Sequence, residues 1–146
     1  MADLTDNIKH YKVGYVCGVF DLFHIGHLKI LRRCKEYCDY LMVGVNSDEL
    51  VESYKNNRPT IPENERMEII RELRCVDEVV LVDFHNDVSL TAWSLYKFDV
   101  QFCGDDHKEQ LVSTRDELRK LGSDMIFFPY TKGVSSTIIK KKLSKG

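Results

Sequence analysis

Short apolar runs alternate with amphipathic segments along almost the whole chain. The apolar runs are continuous, which is typical of strands buried on both faces of a parallel sheet. They predict strands over Val13–Val19, Tyr40–Asn46, Val76–Val82, Val100–Cys103 and Met125–Phe128. Because a helical segment follows each strand, we predict an α/β fold with a Rossmann-like, doubly wound sheet of about five parallel strands.

The amphipathic segments predict helices with ordinary start and stop signals. They lie over Gly26–Cys38, Ser47–Tyr54, Pro62–Arg74, Val88–Phe98, Glu109–Leu121 and Ser135–Leu143. Ser47 is a cap-type residue, Pro62 suits a first helical turn, and Gly122 is an expected C-terminal stop. In such sheets, ligands bind outside the carboxyl ends of the strands. Polar clusters follow four of the predicted strands, within 21–27, 46–48, 104–107 and 131–137, so we expect the binding site at that edge.

Length and composition narrow the class of protein. The 146 residues predict one domain over residues 1–146, and 43% hydrophobic and 30% charged residues are ordinary for a globular protein. A net charge of −2 gives no bulk attraction to nucleic acid or to an anionic membrane. No apolar run approaches the length of a membrane span, and residues 1–10 are too polar for a signal peptide. We therefore expect a cytoplasmic protein with no nucleic-acid or membrane partner.

The five cysteines are odd in number and lie in apolar segments, which favours reduced thiols. Cys34 and Cys38 are four apart on one predicted helix and share a face. Two packed thiols explain this spacing better than half of a zinc site, because further ligands at zinc spacing are missing.

The segment Gly18–His27, GVFDLFHIGH, joins the first predicted strand to the first helix. Two histidines three apart lie at the helix start, and free N–H groups and the helix dipole favour an anion there. The imidazoles add side-chain donors, and Gly26 lets a ligand approach the backbone. The residues predict a phosphate site at the end of the first strand. The alternative is that the histidines only cap the helix.

A second phosphate cradle is predicted where the last helix begins. The segment Thr131–Thr137, TKGVSST, places hydroxyl residues after a glycine at this helix start. Hydroxyl oxygens and free N–H groups at such a place suit a phosphate. Simple capping by one hydroxyl is the alternative.

The segment Gly18–His27 resembles the extended GxFDxxHxGH signature of the cytidylyltransferase-like nucleotidyltransferases, in the form found in glycerol-3-phosphate cytidylyltransferases. The resemblance runs from about Lys12 to Leu143 and implies the HxGH nucleotidyltransferase type of fold. It implies catalytic roles for His24 and His27. It also implies that a nucleotide contacts Gly18, Val19, Phe20, Asp21 and Gly26.

Two further segments match the family between the second and third strands. Arg74–Val79, RCVDEV, resembles its RxVDEV stretch, which implies a catalytic phosphate or substrate contact for Arg74 and a substrate contact for Asp77. A cation that complements a helix dipole is the alternative for Arg74. Glu63–Arg66, ENER, matches an ExxR segment, which implies that Arg66 binds substrate.

The family's nucleotide contacts extend to two more strand ends. Gly104, Asp105 and Asp106 resemble a GDD segment that lies near the ribose and base, with a plain turn as the alternative. Residues 130–137 resemble the family's second signature, RTEGIST, with Tyr130 in place of its arginine and Lys132 in place of its glutamate. The resemblance assigns nucleotide binding there to Tyr130, Thr131, Gly133, Ser135, Ser136 and Thr137.

Lys55 and Arg58 lie in the predicted loop after the second strand. The resemblance implies a catalytic contact of Lys55 with phosphate and a substrate contact of Arg58. Solvated loop cations are the alternative.

The resemblance implies transfer of CMP from CTP to a small phosphorylated alcohol, with glycerol 3-phosphate as the first choice and CDP-glycerol and pyrophosphate as products. Phosphocholine, phosphoethanolamine and aminoethylphosphonate are alternative acceptors. Residues 58–62 and the GVSST segment also resemble relatives that use ATP on a sugar phosphate or an FMN-like acceptor. A non-catalytic nucleotide-binding module stays open. Mg²⁺ is expected on the triphosphate, and Asp21 either orients the residues around the phosphates or touches the metal. A homodimer is implied by the resemblance alone.

Overall fold

The computed structural model describes residues 10–129. Its strands are β1 (Tyr11–Gly18), β2 (Cys38–Asn46), β3 (Glu78–Val82), β4 (Val100–Gly104) and β5 (Met125–Phe128). Its α-helices are α1 (Ile25–Glu36), α2 (Asp48–Lys55), α3 (Glu63–Arg71), α4 (Ser89–Tyr96) and α5 (Lys108–Lys120), and a turn of 3₁₀ helix covers Asp105–His107.

The five strands form one parallel sheet in the order β3-β2-β1-β4-β5. Strand order reverses beside β1, because the chain adds β2 and β3 on one side of it and β4 and β5 on the other. This confirms the predicted doubly wound sheet. The reversal leaves a crevice outside the carboxyl ends of β1 and β4, where ligands bind in such sheets.

Successive residues of the central strands point to opposite faces of the sheet, and each face has its own apolar core. Val16 and Val43 lie in the core covered by α1 and α3, whereas Tyr15 and Met42 lie in the core covered by α4 and α5. Both faces of β1 and β2 are therefore buried, which explains why their sequences are continuously apolar.

Several predicted boundaries differ from the structure. α1 ends at Glu36 rather than Cys38, because Cys38 already pairs with Tyr11 in the β1–β2 ladder. α3 ends at Arg71 rather than Arg74, and β3 begins at Glu78 rather than Val76. The connection between α3 and β3 turns at the amino edge of the sheet, where the amino ends of the parallel strands lie. In this turn, Asp77 N–H donates to Leu41 O at 2.9 Å.

Several smaller predictions agree with the structure. Gly122 follows α5 with a φ of 88°, a left-handed conformation that suits glycine. Cys34 and Cys38 are buried free thiols, as expected, and burial raises the pKa of Cys38 to about 11. Cys38 lies at the start of β2 rather than on α1, so the helix face predicted to be shared by the two residues is wrong. The predicted helix Ser135–Leu143 lies outside the described residues. Between residues 10 and 129, no helix has the length and apolar character needed to cross a membrane.

Candidate active site

The turn from β1 into α1 has an unusual backbone. Phe20 and Leu22 adopt left-handed conformations, with φ of 55° and 50°. Such conformations are uncommon for large apolar residues and persist only where surrounding contacts hold them. Phe20 is buried and its ring meets that of His27 edge-on, with the ring centroids 5.5 Å apart. The turn is therefore held by packing, and it directs the side chain of Asp21 inward.

Asp21 ties this turn to the loop between α2 and α3. Its carboxylate accepts hydrogen bonds from Thr60 N–H at 2.7 Å and Ile61 N–H at 2.9 Å, and from Leu22 N–H at 3.1 Å. The side chain is almost wholly buried. Both oxygens are thus used to hold backbone, so the turn and the loop behave as one unit.

The two histidines cap α1 reciprocally. Nδ1 of His24 accepts a hydrogen bond from Gly26 N–H at 3.1 Å, and Nδ1 of His27 accepts one from His24 N–H at 3.2 Å. The rings stack with their centroids 3.8 Å apart. A nitrogen that accepts from N–H carries no proton, so these contacts assign the hydrogen of each neutral ring to Nε2.

Capping and ligand binding were alternatives at the sequence level, but they use different nitrogens. Nδ1 of each ring caps the helix, and Nε2 keeps a hydrogen to donate. Nε2 of His24 is buried and has no hydrogen-bond partner among the described residues. A buried donor without an acceptor is costly, so this nitrogen is a candidate position for a ligand oxygen.

Both imidazoles are neutral at pH 7. Burial lowers the pKa of His24. Burial, aided by the charge of His24, lowers the pKa of His27 to about 4 against the opposing attraction of Asp21. The pair therefore offers oriented N–H dipoles at the positive end of a helix dipole, a combination that suits phosphate oxygens.

Arg66 is placed differently from the prediction. Its side chain is wholly buried and ion-pairs with Asp48 at 2.7 Å. The guanidinium also donates to the carbonyl oxygens of Val19, Asn46 and Ile61 at 2.7–2.8 Å. The expected contact with substrate is therefore corrected, because the donors of this side chain are turned to the protein.

Lys55 and Arg58 lie on the exposed side of the same loop region. Lys55 ends α2, with its ammonium 5.9 Å from the centroid of the Tyr54 ring. Arg58 pairs with Glu52 at 3.0 Å, and about half of each side chain is exposed. Both cations remain open to solvent, and the ligand contacts that the resemblance implied for them stay predictions.

Arg74 and Asp77 lie at the opposite edge of the sheet. Asp77 precedes β3, and its carboxylate accepts from Leu41 N–H at 2.7 Å and pairs with Lys35. Leu41 is five residues before Asn46 on β2, or about 16 Å along the strand. Within one chain, Arg74 and Asp77 therefore do not lie beside the histidines, and the roles that the resemblance implied for them stay predictions.

The segment after β4 lies beside the histidine turn, since β4 pairs with β1. Gly104 ends the strand, and the following 3₁₀ turn brings the Asp106 carboxylate back over it. This placement suits the predicted nucleotide contact and is also a turn, as the alternative expected. The second predicted phosphate cradle lies outside the described residues: Tyr130, Thr131, Lys132, Gly133, Ser135, Ser136 and Thr137.

Three residues that support the site were not predicted from the sequence. Asp48 and Glu63 cross-link the starts of α2 and α3, and Phe23 packs against His27 with the ring centroids 5.2 Å apart. The contact between Asp48 and Glu63 crosses the α2–α3 loop, so no local pattern in the sequence indicates it.

The chain is similar in sequence to several known proteins. A family model described as cytidylyltransferase-like matches residues 15–142. The FAD synthase of Pyrococcus abyssi is 35% identical over 132 residues, which cover 86% of this chain and 88% of that protein. The bifunctional protein HldE of Geobacter metallireducens is 35% identical over 133 residues, 90% of this chain. The chain spans only 27% of that HldE protein.

The chain also superposes on solved structures. A lipopolysaccharide core biosynthesis protein from Thermoplasma volcanium superposes with a TM-score of 0.69 at 27% identity, over 85% of this chain and 99% of that one. Pantothenate synthetase from Thermus thermophilus superposes with a TM-score of 0.62 over 94% of this chain and 67% of that one. At 15% identity, the second likeness shows the fold alone.

Proposed function

The chain belongs to the cytidylyltransferase-like nucleotidyltransferase family, and we propose that it transfers a nucleoside monophosphate from a nucleoside triphosphate to a small phosphorylated acceptor. The observation that carries this proposal is the histidine pair. Each Nδ1 is committed to the backbone, and each Nε2 presents an N–H group at the start of α1. Nε2 of His24 is buried with no partner among residues 10–129, so it is ready for an acceptor oxygen.

The proposed reaction needs no protein base. A phosphate oxygen of the acceptor is already anionic at neutral pH, and it attacks the α-phosphorus of the nucleotide. The bond from that phosphorus to the oxygen bridging to the β-phosphate breaks, and its electron pair leaves with pyrophosphate. The protein's contribution is alignment of the two phosphates and stabilisation of the charge that develops between them.

His24 and His27 supply that stabilisation in the proposal. Their Nε2–H groups donate to the oxygens around the α-phosphorus and to the departing pyrophosphate. Because Nδ1 of each ring is held by a backbone N–H, the donors need no reorientation when charge develops. The lowered pKa of both rings fits donors that act as fixed dipoles and keep their protons.

Mg²⁺ enters the proposal with the triphosphate. No group of three or more metal-ligating side chains lies together within residues 10–129. Asp21 does not fit a metal ligand here, because its two oxygens hold three backbone N–H groups. The ion would be held by nucleotide oxygens and water rather than by protein side chains.

ATP is the first candidate donor. FAD contains an adenylyl group, and the FAD synthase relative matches most of both chains. The sequence of residues 58–62 favours the same donor. The second candidate is CTP with glycerol 3-phosphate, giving CDP-glycerol, and it is supported by the GVFDLFHIGH form of residues 18–27.

The test is pyrophosphate release by the purified protein with Mg²⁺ and each of ATP, CTP, GTP and UTP. Each nucleotide is paired with FMN, a sugar phosphate, glycerol 3-phosphate, phosphocholine, phosphoethanolamine and aminoethylphosphonate. We expect turnover with ATP and one acceptor of the panel. Turnover with CTP alone would replace the first donor by the second. Saturable nucleotide binding with no turnover on any acceptor would make the chain a non-catalytic binding module.

The expected homodimer stays a prediction. Light scattering of the purified protein measures it directly, and a monomer at micromolar concentration would contradict it.

A further inference from the structure

The helices α2 and α3 cap each other where they begin. Asp48 N–H donates to the Glu63 carboxylate at 2.9 Å, and Glu63 N–H donates to the Asp48 carboxylate at 3.3 Å. The N-cap residue of α3 is Pro62, whose side chain makes no capping hydrogen bond. The first N–H of α3 is therefore satisfied by the neighbouring helix, which locks the two helix starts together.

Arg66 closes the gap between the ends of β1 and β2. The last paired residues of these strands are Gly18 and Val45. The next carbonyls along each chain, those of Val19 and Asn46, both accept from Nη1 of Arg66, at 2.7 Å and 2.8 Å. The guanidinium thus continues the connection between the strands where the backbone ladder stops.

The same guanidinium fixes the loop that follows α2. Its Nη2 contacts the Asp48 carboxylate at 2.7 Å, and its Nε donates to Ile61 O at 2.8 Å. The N–H of Ile61 donates to Asp21, so this residue is held from both sides. Arg66 therefore joins two strand ends, one helix start and the loop, without exposing any of its side chain.

We propose that Arg66 is a positioning residue, whose guanidinium sets the separation of the β1 and β2 ends and thereby the place of the histidine turn. This inference rests on the proposed function. Val19 lies only five residues before His24, so a shift of the β1 end is passed directly to the imidazoles. Misplacement of reacting groups by about 1 Å is enough to reduce a rate by about 10²-fold.

Lysine at position 66 is the informative replacement. It keeps the positive charge, but one ammonium on a flexible stem cannot reach four acceptors in fixed directions. We expect Arg66→Lys to lower kcat by about 10²-fold while KM for nucleotide and acceptor stays within about threefold. The amides of Thr60 and Ile61 should exchange with solvent about tenfold faster or more, as their loop loses its anchor.

Two variants of α3 serve as controls. Arg71→Lys makes the same chemical change at an exposed position on the same helix, and we expect it to match the wild-type protein. Ile70→Val removes one methylene group from a buried side chain and so destabilises the core without touching the contacts of Arg66. It should lower the unfolding midpoint with kcat retained, which separates geometry from stability.

Three outcomes would overturn the inference. One is unchanged exchange of Thr60 and Ile61 in Arg66→Lys. Another is a raised acceptor KM with kcat retained, because Arg66 would then contact substrate. The third is an equal fall of kcat in Ile70→Val.

If the wild-type protein turns over no acceptor, the proposed function fails, and the exchange experiment decides the anchoring role alone. If Arg66→Lys does not fold, Asp48→Asn removes the paired charge, and faster exchange of the same amides is required.

Discussion

The two edges of the sheet carry polar groups of similar kinds that differ in burial and in the number of backbone groups they hold. At the carboxyl edge, Asp21 and Arg66 are buried, and each makes three hydrogen bonds with backbone groups. At the amino edge, Lys35 and Asp77 pair with each other and each makes one hydrogen bond with a backbone group, while 30% and 31% of their side chains stay exposed. The carboxyl edge is therefore cross-linked more extensively than the amino edge.

The histidines show the same contrast. His10, at the amino edge, pairs with Asp39 and is about half exposed. His24, at the carboxyl edge, has a buried Nε2 that no described residue satisfies. Proteins rarely leave a buried donor unpaired without a ligand to receive it. The two histidines therefore differ in whether a ring nitrogen is buried and in whether a described residue satisfies it.

The largest effect is expected from His27→Ala. We expect kcat to fall by about 10²-fold or more, because one of the two oriented donors is removed from the transition state. Nucleotide affinity, measured by calorimetry, should change much less. His10→Ala is the matched control at the other edge and should retain wild-type kcat. Near-normal turnover of His27→Ala would remove the histidine pair from the mechanism.

Matched carboxylates at the two edges provide the next comparison. Asparagine at position 21 cannot accept from all three N–H groups, so Asp21→Asn should lower the free energy of unfolding by about 1–3 kcal/mol. Asp77→Asn should cost about 1 kcal/mol or less, because the asparagine oxygen can still accept from Leu41 N–H and water reaches the side chain. Urea unfolding measures both. Equal losses would mean that the carboxyl edge is no more rigidly built than the amino edge.

The pH dependence of the free energy of unfolding should show that folded His27 is neutral. The unfolded side chain titrates near 6.5, and burial lowers the folded pKa to about 4. Between these values the unfolded state binds more protons, so the free energy of unfolding falls as the pH is lowered from about 6.5 to about 4. Above about 6.5 the stabilisation is fully present. Urea unfolding across this range should show a weaker pH dependence for His27→Asn, and an unchanged dependence would contradict the buried neutral imidazole.

The sequence predicted the fold because its signals are local and repeated. Each apolar run predicts one strand, and each capping residue predicts the start or end of one helix. The alternation of strands and helices is then compatible with only a few sheet topologies. The histidine turn was predictable for the same reason, since His24, Gly26 and His27 act within one helical turn. The capping contacts of both imidazoles lie within three residues of each ring.

Long-range contacts explain what the sequence missed. Arg66 reaches Val19 across 47 residues, and no spacing rule indicates that its donors face inward. Asp48 and Glu63 meet only because two helix starts converge. Arg74 and Asp77 teach the converse lesson. They precede a strand, which predicts the amino edge of a parallel sheet, and the contacts of Asp77 with Leu41 agree with that placement.

The smallest effect is expected at Arg58, the exposed cation nearest in sequence to the loop residues that Asp21 holds. Its pair with Glu52 is open to water, so Arg58→Ala should change the free energy of unfolding by about 0.5 kcal/mol or less. If this cation draws in an anionic acceptor, KM for the acceptor rises about three- to tenfold with kcat unchanged, because uniform binding is lost. Glu52→Gln, which frees the guanidinium, should lower that KM. In steady-state kinetics at low and high salt, the difference in acceptor KM between the wild-type protein and the variants should become smaller as the ionic strength rises. If neither substitution changes this KM, Arg58 is a solvated surface residue.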